Sequence, residues 1–144
     1  MAPVNKVEPY VFEVIEKARK QRHKDTKIEI LRKFEHWAVK DVLAGIYDDK
    51  IKFNLPAGSP PYTESQEHNA PTNLKRKHRD FRFFVKGGPG DQLTTVKRET
   101  MFISLLEGIH PEDAKLVVQM INKEKIDGLT KNIIKEAFPG LPIT

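Results

Sequence analysis

A glycine, a threonine and a lysine stand close together near the end of this 144-residue sequence, at Gly128, Thr130 and Lys131, where a helix is predicted to begin. Free backbone N–H groups at a helix start, a hydroxyl that can cap it and an adjacent cation together suit a bound phosphate. A similar pair, Thr26 and Lys27, follows a basic turn near the other end of the chain. These residues predict anion binding rather than catalysis.

Positive charge is concentrated in blocks along the chain. The sequence has 25 Lys and Arg residues against 20 Asp and Glu residues, which gives a net charge of +5. Between Lys75 and Lys86 six cations are opposed only by Asp80. A polarised basic surface is what nucleic-acid binding requires. We predict that the DNA-contacting residues are Lys20, Arg22, Lys24, Thr26, Lys27, Lys75, Arg76, Lys77, Arg79, Lys97, Arg98, Gly128, Thr130 and Lys131.

Other kinds of functional chemistry have little support in the sequence. Cysteine is absent, which excludes disulfides, thiol nucleophiles and thiolate metal sites. The five histidines lack metal-ligand spacing, and the adjacent carboxylates Asp48-Asp49 and Glu112-Asp113 have diverging side chains. We therefore predict a non-enzymatic protein without a metal or a cofactor.

The run Lys125-Ile126-Asp127-Gly128 matches the Lys-x-Asp-Gly motif of nucleotidyl-lysine enzymes. An adenylation site needs a nucleotide pocket built from further motifs, and only 16 residues follow Gly128. We do not expect Lys125 to be catalytic.

No apolar stretch approaches the roughly 20 residues that cross a bilayer. Met1–Lys6 lacks the apolar region of a signal peptide. Together with the absence of cysteine, this predicts a soluble intracellular protein that does not bind a membrane.

Hydrophobic periodicity predicts about six helices. The first runs from near Pro9 to about Gln21. The second is capped by Asp25 or Thr26, ends near Gly45 and has the widest apolar face, so it is predicted to be central. The other four extend from Thr72 or Asn73 to Val85, from Val96 to Ile109, from Pro111 to Ile121 and from Thr130 to Phe138. A strand over residues 81–85 is the rival interpretation of the first of these, but the Gly87-Gly88 pair favours a helix stop.

The segment 54–73 is rich in proline and polar residues and has no period, so we predict a long surface loop that wraps the body or a partner. Its Tyr62 is a candidate for base stacking or for a partner pocket. Trp37 is predicted to lie in the core, with base stacking by an exposed Trp37 as the alternative. The sequence thus predicts an all-α, single compact domain with one long loop.

Two runs of sequence carry a family resemblance. The first is Lys97–Ile109 with the following Asp113–Val118. The second is Gly128–Leu141, which opens a helix with small polar residues and closes with an aromatic residue followed by Pro-Gly-Leu. This arrangement resembles the N-terminal helical DNA-binding domain of ATP-dependent DNA ligases of the T-even-phage type. The Ala-Phe-Pro-Gly-Leu ending is also similar to that of stand-alone proteins of tailed phages.

The resemblance implies a domain that packs across the minor groove and holds phosphates of both strands without reading sequence. The partner would be duplex DNA, intact or nicked, and the protein would act in the cytoplasm of an infected host cell or in the virion. An alternative from another class is an interaction or virion-structural protein whose 54–73 loop docks on a protein partner. A third interpretation is an inhibitor of a host nucleic-acid enzyme.

Overall fold

Seven α-helices and two 3₁₀ helices follow one another along residues 9–144, the part of the chain that a computed structural model describes. The α-helices are α1 (Val11–Arg19), α2 (Lys24–Lys33), α3 (Trp37–Tyr47), α4 (Leu74–Lys77), α5 (Thr95–Gly108), α6 (Pro111–Ile121) and α7 (Lys131–Ala137); the 3₁₀ helices are His78–Phe84 and Pro89–Gln92. In these residues the only β pairing is one antiparallel bridge between Phe53 and Val85. The predicted all-α, single-domain fold is confirmed. The prediction about Met1–Lys6 lies outside the described residues.

Helix α3 forms the centre of the fold, because it is buried on nearly all sides. Ala38, Val39, Val42, Leu43 and Ile46 have no exposed surface, and α1, α6 and the His78–Phe84 helix pack around them. The predicted stripe of α1, which contains Val11, Val14, Ile15 and Ala18, faces this core. Burying such apolar side chains is the main favourable contribution to folding.

The predicted second helix is in fact two helices. The backbone leaves the helical conformation at Phe34, and His36 then caps α3 by accepting the Ala38 N–H with its Nδ1 at 2.9 Å. Histidine is not among the residues that usually mark a helix start, so the pattern gave no signal of the break. The cap of α2 was also mispredicted, because His23 precedes the helix and the Thr26 hydroxyl donates to the His23 carbonyl at 2.8 Å.

The segment after Asn73 is helical, as predicted, but most of it is 3₁₀ rather than α. Asn73 caps α4 by accepting the Arg76 N–H at 3.0 Å. The chain then continues as the His78–Phe84 3₁₀ helix, in which His78, Phe81 and Phe84 are buried at a spacing of three. The strand interpretation of residues 81–85 is wrong except at Val85, which forms the isolated bridge.

The 54–73 segment lies on the body of the domain as an ordered arm. Its backbone bonds to α5 and α6: the Gly58 N–H donates to Asn122 Oδ1 at 2.7 Å, and the Thr63 N–H donates to Glu107 at 2.8 Å. Leu55 and Tyr62 pack against the core, so Tyr62 is not an exposed stacking platform. Of the two predicted alternatives, the arm wraps the body.

The C-terminus of α3 is capped by a lysine from the α6–α7 connection. Lys123 Nζ donates to the carbonyls of Gly45, Asp48 and Ile51 at 2.6, 2.9 and 2.9 Å. Burial lowers the pKa of this ammonium. Carbonyls at the end of a helix lack intrahelical partners, so this one cation satisfies groups that would otherwise need water.

Replacing this cap is expected to destabilise the fold. Lys123→Met keeps the aliphatic stem but removes all three donors, and we expect the free energy of unfolding to fall by about 2 kcal/mol. Lys115→Met, which removes only a surface pair with Glu112, is the control and should change it by less than about 0.5 kcal/mol. Urea unfolding of both variants measures the difference. Equal stability of the two would show that water replaces the lysine at no cost.

Candidate nucleic-acid interface

Two groups of predicted contact residues that are far apart in sequence meet in the structure. Lys27 on α2 donates a hydrogen bond from Nζ to the carbonyl of Gly128, and α2 packs on α7. The basic turn between α1 and α2 therefore lies beside the turn before α7. We call this surface the helix-start cluster; its members are Lys20, Arg22, Lys24, Thr26, Lys27, Gly128, Thr130 and Lys131.

Several members of the helix-start cluster already have partners within the protein. Lys20 pairs with Glu16 at 3.3 Å, Lys24 with Glu136 at 2.8 Å and Lys131 with Asp49 at 2.8 Å. The Lys131 ammonium lowers the pKa of the Asp49 carboxyl. Exposed ion pairs of this kind are worth little and exchange readily, so these cations stay accessible to an incoming anion.

The turn before α7 also makes contacts that stabilise the fold. Thr130 caps the helix as predicted, by accepting the Ile133 N–H at 3.3 Å. Gly128 has φ +92°, and a Cβ at this position would stand 2.5 Å from the Arg19 carbonyl oxygen. Because α7 has only seven residues, we do not assign it an N-terminal anion site.

The second basic block forms a row of arginines. In a 3₁₀ helix, side chains at positions i and i+3 eclipse one another, so Arg79 and Arg82 point the same way, and Arg76 precedes them on α4. The buried residues of the same segment, His78, Phe81 and Phe84, occupy a different face of the helix. We call Arg76, Arg79 and Arg82 the arginine row; within residues 9–144 none of the three makes an ion pair. Next to the row, Lys77 pairs with Asp80 at 3.8 Å and His78 with Asp41 at 2.5 Å.

Further cations lie at the end of the arginine row. The backbone N–H of Lys86 donates to the Lys52 carbonyl at 2.7 Å. These two exposed lysines are therefore neighbours, on hydrogen-bonded segments of the chain. Lys86 and Arg98 both lower the pKa of the Asp91 carboxyl, after the hydrogen bonds from Asn54 and the Gly87 N–H. Arg98, one of the two predicted contacts on α5, therefore lies near the end of the arginine row. Lys86 is the end of the second basic block seen in the sequence, whereas Lys52 was not predicted as a contact, because an isolated lysine carries no spacing signal.

Arg98 holds a turn together instead of presenting a free guanidinium. Its Nη1 donates to the carbonyls of Gly90 and Leu93 at 3.1 and 2.7 Å, and its Nε is buried. Lys97, the next residue along the helix, is exposed. Of the two predicted contacts on α5, Lys97 is therefore available to a ligand, and Arg98 positions the Pro89–Gln92 helix.

Trp37 is exposed, and its predicted place in the core is wrong. The side chain retains 61 % of its accessible surface because the break at Phe34 rotates the new helix, and Trp37 lies with Lys40 on the outer side of α3. The Lys40 ammonium stands 4.5 Å from the centroid of the indole ring. A continuous helix would have buried this residue.

The remaining candidates for chemistry are used by the fold. Histidines precede α2, α3 and α6, and His78 bonds to Asp41 at 2.5 Å. Across residues 9–144, no group of three or more His, Asp or Glu side chains could hold a metal ion, and no helix is long and apolar enough to cross a membrane. Lys125, from the Lys-x-Asp-Gly match, donates to the Ile46 carbonyl at 3.3 Å and lies over the ring of Tyr47.

Comparison with known proteins gives one match. The model of a family of unknown function, DUF6433, matches residues 14–127, which include most of α1, all of α2 to α6 and most of both basic surfaces. No curated protein and no solved structure matches the chain.

Proposed function

We propose that this chain, which belongs to the DUF6433 family of unknown function, is a non-enzymatic protein that binds the phosphate backbone of DNA without reading sequence. The arginine row is the main contact surface, and the cations of the helix-start cluster supply further phosphate contacts. The observation that carries the proposal is the absence of acidic partners along the row. Three exposed arginines on one face, unpaired within residues 9–144, are an open site for anions.

The spacing of the row suits an extended polyanion. A rise of about 2 Å per residue in a 3₁₀ helix separates Arg79 from Arg82 by about 6 Å along the axis. Phosphates on one strand of B-DNA advance about 3.4 Å per nucleotide, so adjacent arginines match every second phosphate along the axis. Arginine forks bind phosphate oxygens with two parallel hydrogen bonds. Such contacts hold a duplex in register but do not distinguish its bases.

The rival interpretation, a protein partner that docks on the 54–73 loop, has less support. The loop bonds to Glu107 of α5 and to Asn122 at the end of α6, and its Leu55 and Tyr62 pack against the core. These contacts occupy the groups that a partner would use. The basic surfaces lie elsewhere and keep most of their cations exposed.

The salt dependence of DNA binding tests the proposal. In fluorescence anisotropy with a blunt 20-base-pair duplex, the triple variant Arg76→Gln, Arg79→Gln, Arg82→Gln is expected to bind about tenfold more weakly near 0.15 M salt. Each lost phosphate contact should lower the steepness of log K against log salt by about 0.9, or by about 2.7 for all three. Duplexes of unrelated sequence should lose the same affinity.

A matched variant separates the row from net charge. Lys115→Gln removes one positive charge from α6, where Lys115 pairs with Glu112 at 3.1 Å, whereas Arg79→Gln removes one from the row. We expect Arg79→Gln to reduce the salt slope by about 0.9 and Lys115→Gln to leave it unchanged. Equal slopes for the two variants would mean that only overall charge matters. Absence of duplex binding at 50 mM salt would refute the proposal.

A further inference from the structure

A cleft of about 450 Å³ lies beside the exposed face of Trp37. The start of α3 forms one wall, and the chain leaving α7, from Ala137 to Leu141, forms the other. Its position follows from the break at Phe34, which turns the indole away from the core and toward Pro139. The site is distinct from the arginine row, which lies on α4 and the following 3₁₀ helix.

Two cations are fixed at this cleft. Lys40 holds its ammonium 4.5 Å from the centroid of the Trp37 ring. Arg32 is anchored by hydrogen bonds from its guanidinium to the carbonyls of Glu136 and Ala137, at 2.6 and 3.1 Å. The acids at the rim are already matched, because Glu35 pairs with Lys40 and Glu136 with Lys24. The cleft therefore combines a largely exposed indole, one face of which lies against Lys40, with neighbouring cations.

A second, more open cleft continues from the first. Arg32 and Pro139 line both clefts. The second adds the exposed side chains of Lys33 and Lys135, and also the carboxylates Asp25, Glu29 and Glu136, of which Glu136 pairs with Lys24. Neither Lys33 nor Lys135 makes an ion pair within residues 9–144. A ligand with a flat ring and an anionic chain would place the ring on Trp37 and the chain beside these lysines.

We propose that the Trp37 cleft binds an unpaired nucleobase stacked on the indole, with the adjoining phosphates beside Lys33 and Lys135. This inference rests on the proposed function and narrows its ligand to DNA that offers single-stranded bases. Bases inside an intact duplex are already stacked on one another, whereas an unpaired base can stack on an aromatic side chain. Intact duplex is then held by the arginine row and the cations of the helix-start cluster, without the Trp37 cleft.

The protein's own fluorescence reports on this site, because Trp37 is the only tryptophan in the sequence. Titration with a 12-nucleotide oligothymidylate is expected to quench the emission with the same midpoint as fluorescence anisotropy of the labelled oligonucleotide. A blunt duplex should bind with little quenching. Quenching of equal depth by both would overturn the inference.

Variants at Trp37 test whether the ring supplies affinity. Trp37→Ala should weaken oligothymidylate binding about tenfold, and Trp37→Phe, which keeps an aromatic face, should stay within about threefold of the wild type. Duplex affinity should be the same for all three proteins. Unchanged oligothymidylate affinity of Trp37→Ala would overturn the inference and leave duplex binding by the row intact. If neither oligonucleotide binds the wild type at 50 mM salt, the proposed function itself fails.

Discussion

Replacing Gly128 by alanine is expected to lower the free energy of unfolding by about 3 kcal/mol. Two costs act at this position. The residue has φ +92°, where a side chain costs roughly 1–2 kcal/mol. A Cβ would also stand 2.5 Å from the Arg19 carbonyl oxygen, and overpacking of this kind costs about 1–3 kcal/mol. Because the obstacle is backbone at the end of α1, a rotamer change cannot relieve it. Chemical denaturation gives the free energy directly.

A second glycine separates the two costs. Gly58 has the same φ of +92°, but a Cβ there would meet nothing within 4 Å. Gly58→Ala should therefore show only the conformational cost, about 1 kcal/mol, and the difference between the variants measures the close approach to Arg19. Equal losses at the two positions would mean that α1 and the 128 turn move apart freely.

The same pair of variants bears on how Gly128 relates to DNA binding. If the glycine matters because it lets the turn approach α1, Gly128→Ala should lose stability and keep its duplex affinity at temperatures where it stays folded. A selective loss of affinity in a fully folded variant would instead support the anion-site interpretation of the sequence. Gly58→Ala, on the 54–73 arm, should bind as the wild type does.

The sequence predicted helices best where caps and periodicity agreed. Helix α6 begins at Pro111 and α5 follows a threonine cap at Thr94, and both have apolar stripes that face the core. The break between α2 and α3 was missed because its cap is the imidazole of His36, which no common helix-start pattern contains. That one error also put Trp37 in the core. One local helix cap therefore determines whether Trp37, the largest side chain in the sequence, is buried in the core or exposed to a ligand.

The candidate site was predictable in its residue types but not in its geometry. The cations of the second block were visible in the sequence, but the eclipsed row needs a 3₁₀ helix, which a spacing of three in so short a segment does not distinguish from an α-helix. Arg98 and Gly128 were predicted as contacts because their types suit phosphate. In the structure Arg98 donates to the Leu93 carbonyl, and Gly128 lets the chain pass close to the Arg19 carbonyl. These are turn and tertiary contacts that no motif encodes.

Asp113 is a buried carboxyl whose ionisation opposes folding. Its side chain is 1 % exposed, and its Oδ1 accepts the Phe12 N–H at 2.9 Å, in the first turn of α1. Burial raises the pKa of Asp113 to about 6, although the Phe12 N–H and the nearby His110 act in the opposite direction. A carboxyl with a raised pKa holds its proton more tightly in the folded state than in the unfolded chain. Folding is therefore favoured at low pH, and this contribution is lost as the pH rises from about 4 to about 6.

Asp113→Asn is expected to remove this pH dependence and to make the protein more stable at neutral pH. A rise in pKa from 3.8 to about 6 corresponds to roughly 3 kcal/mol. The amide oxygen can still accept the Phe12 N–H, so below pH 4 the variant and the wild type should have equal free energies of unfolding. By pH 7.5 the variant should be more stable by about 3 kcal/mol. The measurement is the difference between the urea midpoints of the two proteins at successive pH values. Surface acids with lowered pKa values, such as Asp49, contribute equally to the stability of both proteins, so their contribution cancels in the difference. If the difference in stability between the two proteins stays constant with pH, Asp113 is ionised in the folded state without cost. If the variant is instead less stable than the wild type at pH 7.5, the charge of Asp113 itself stabilises the start of α1.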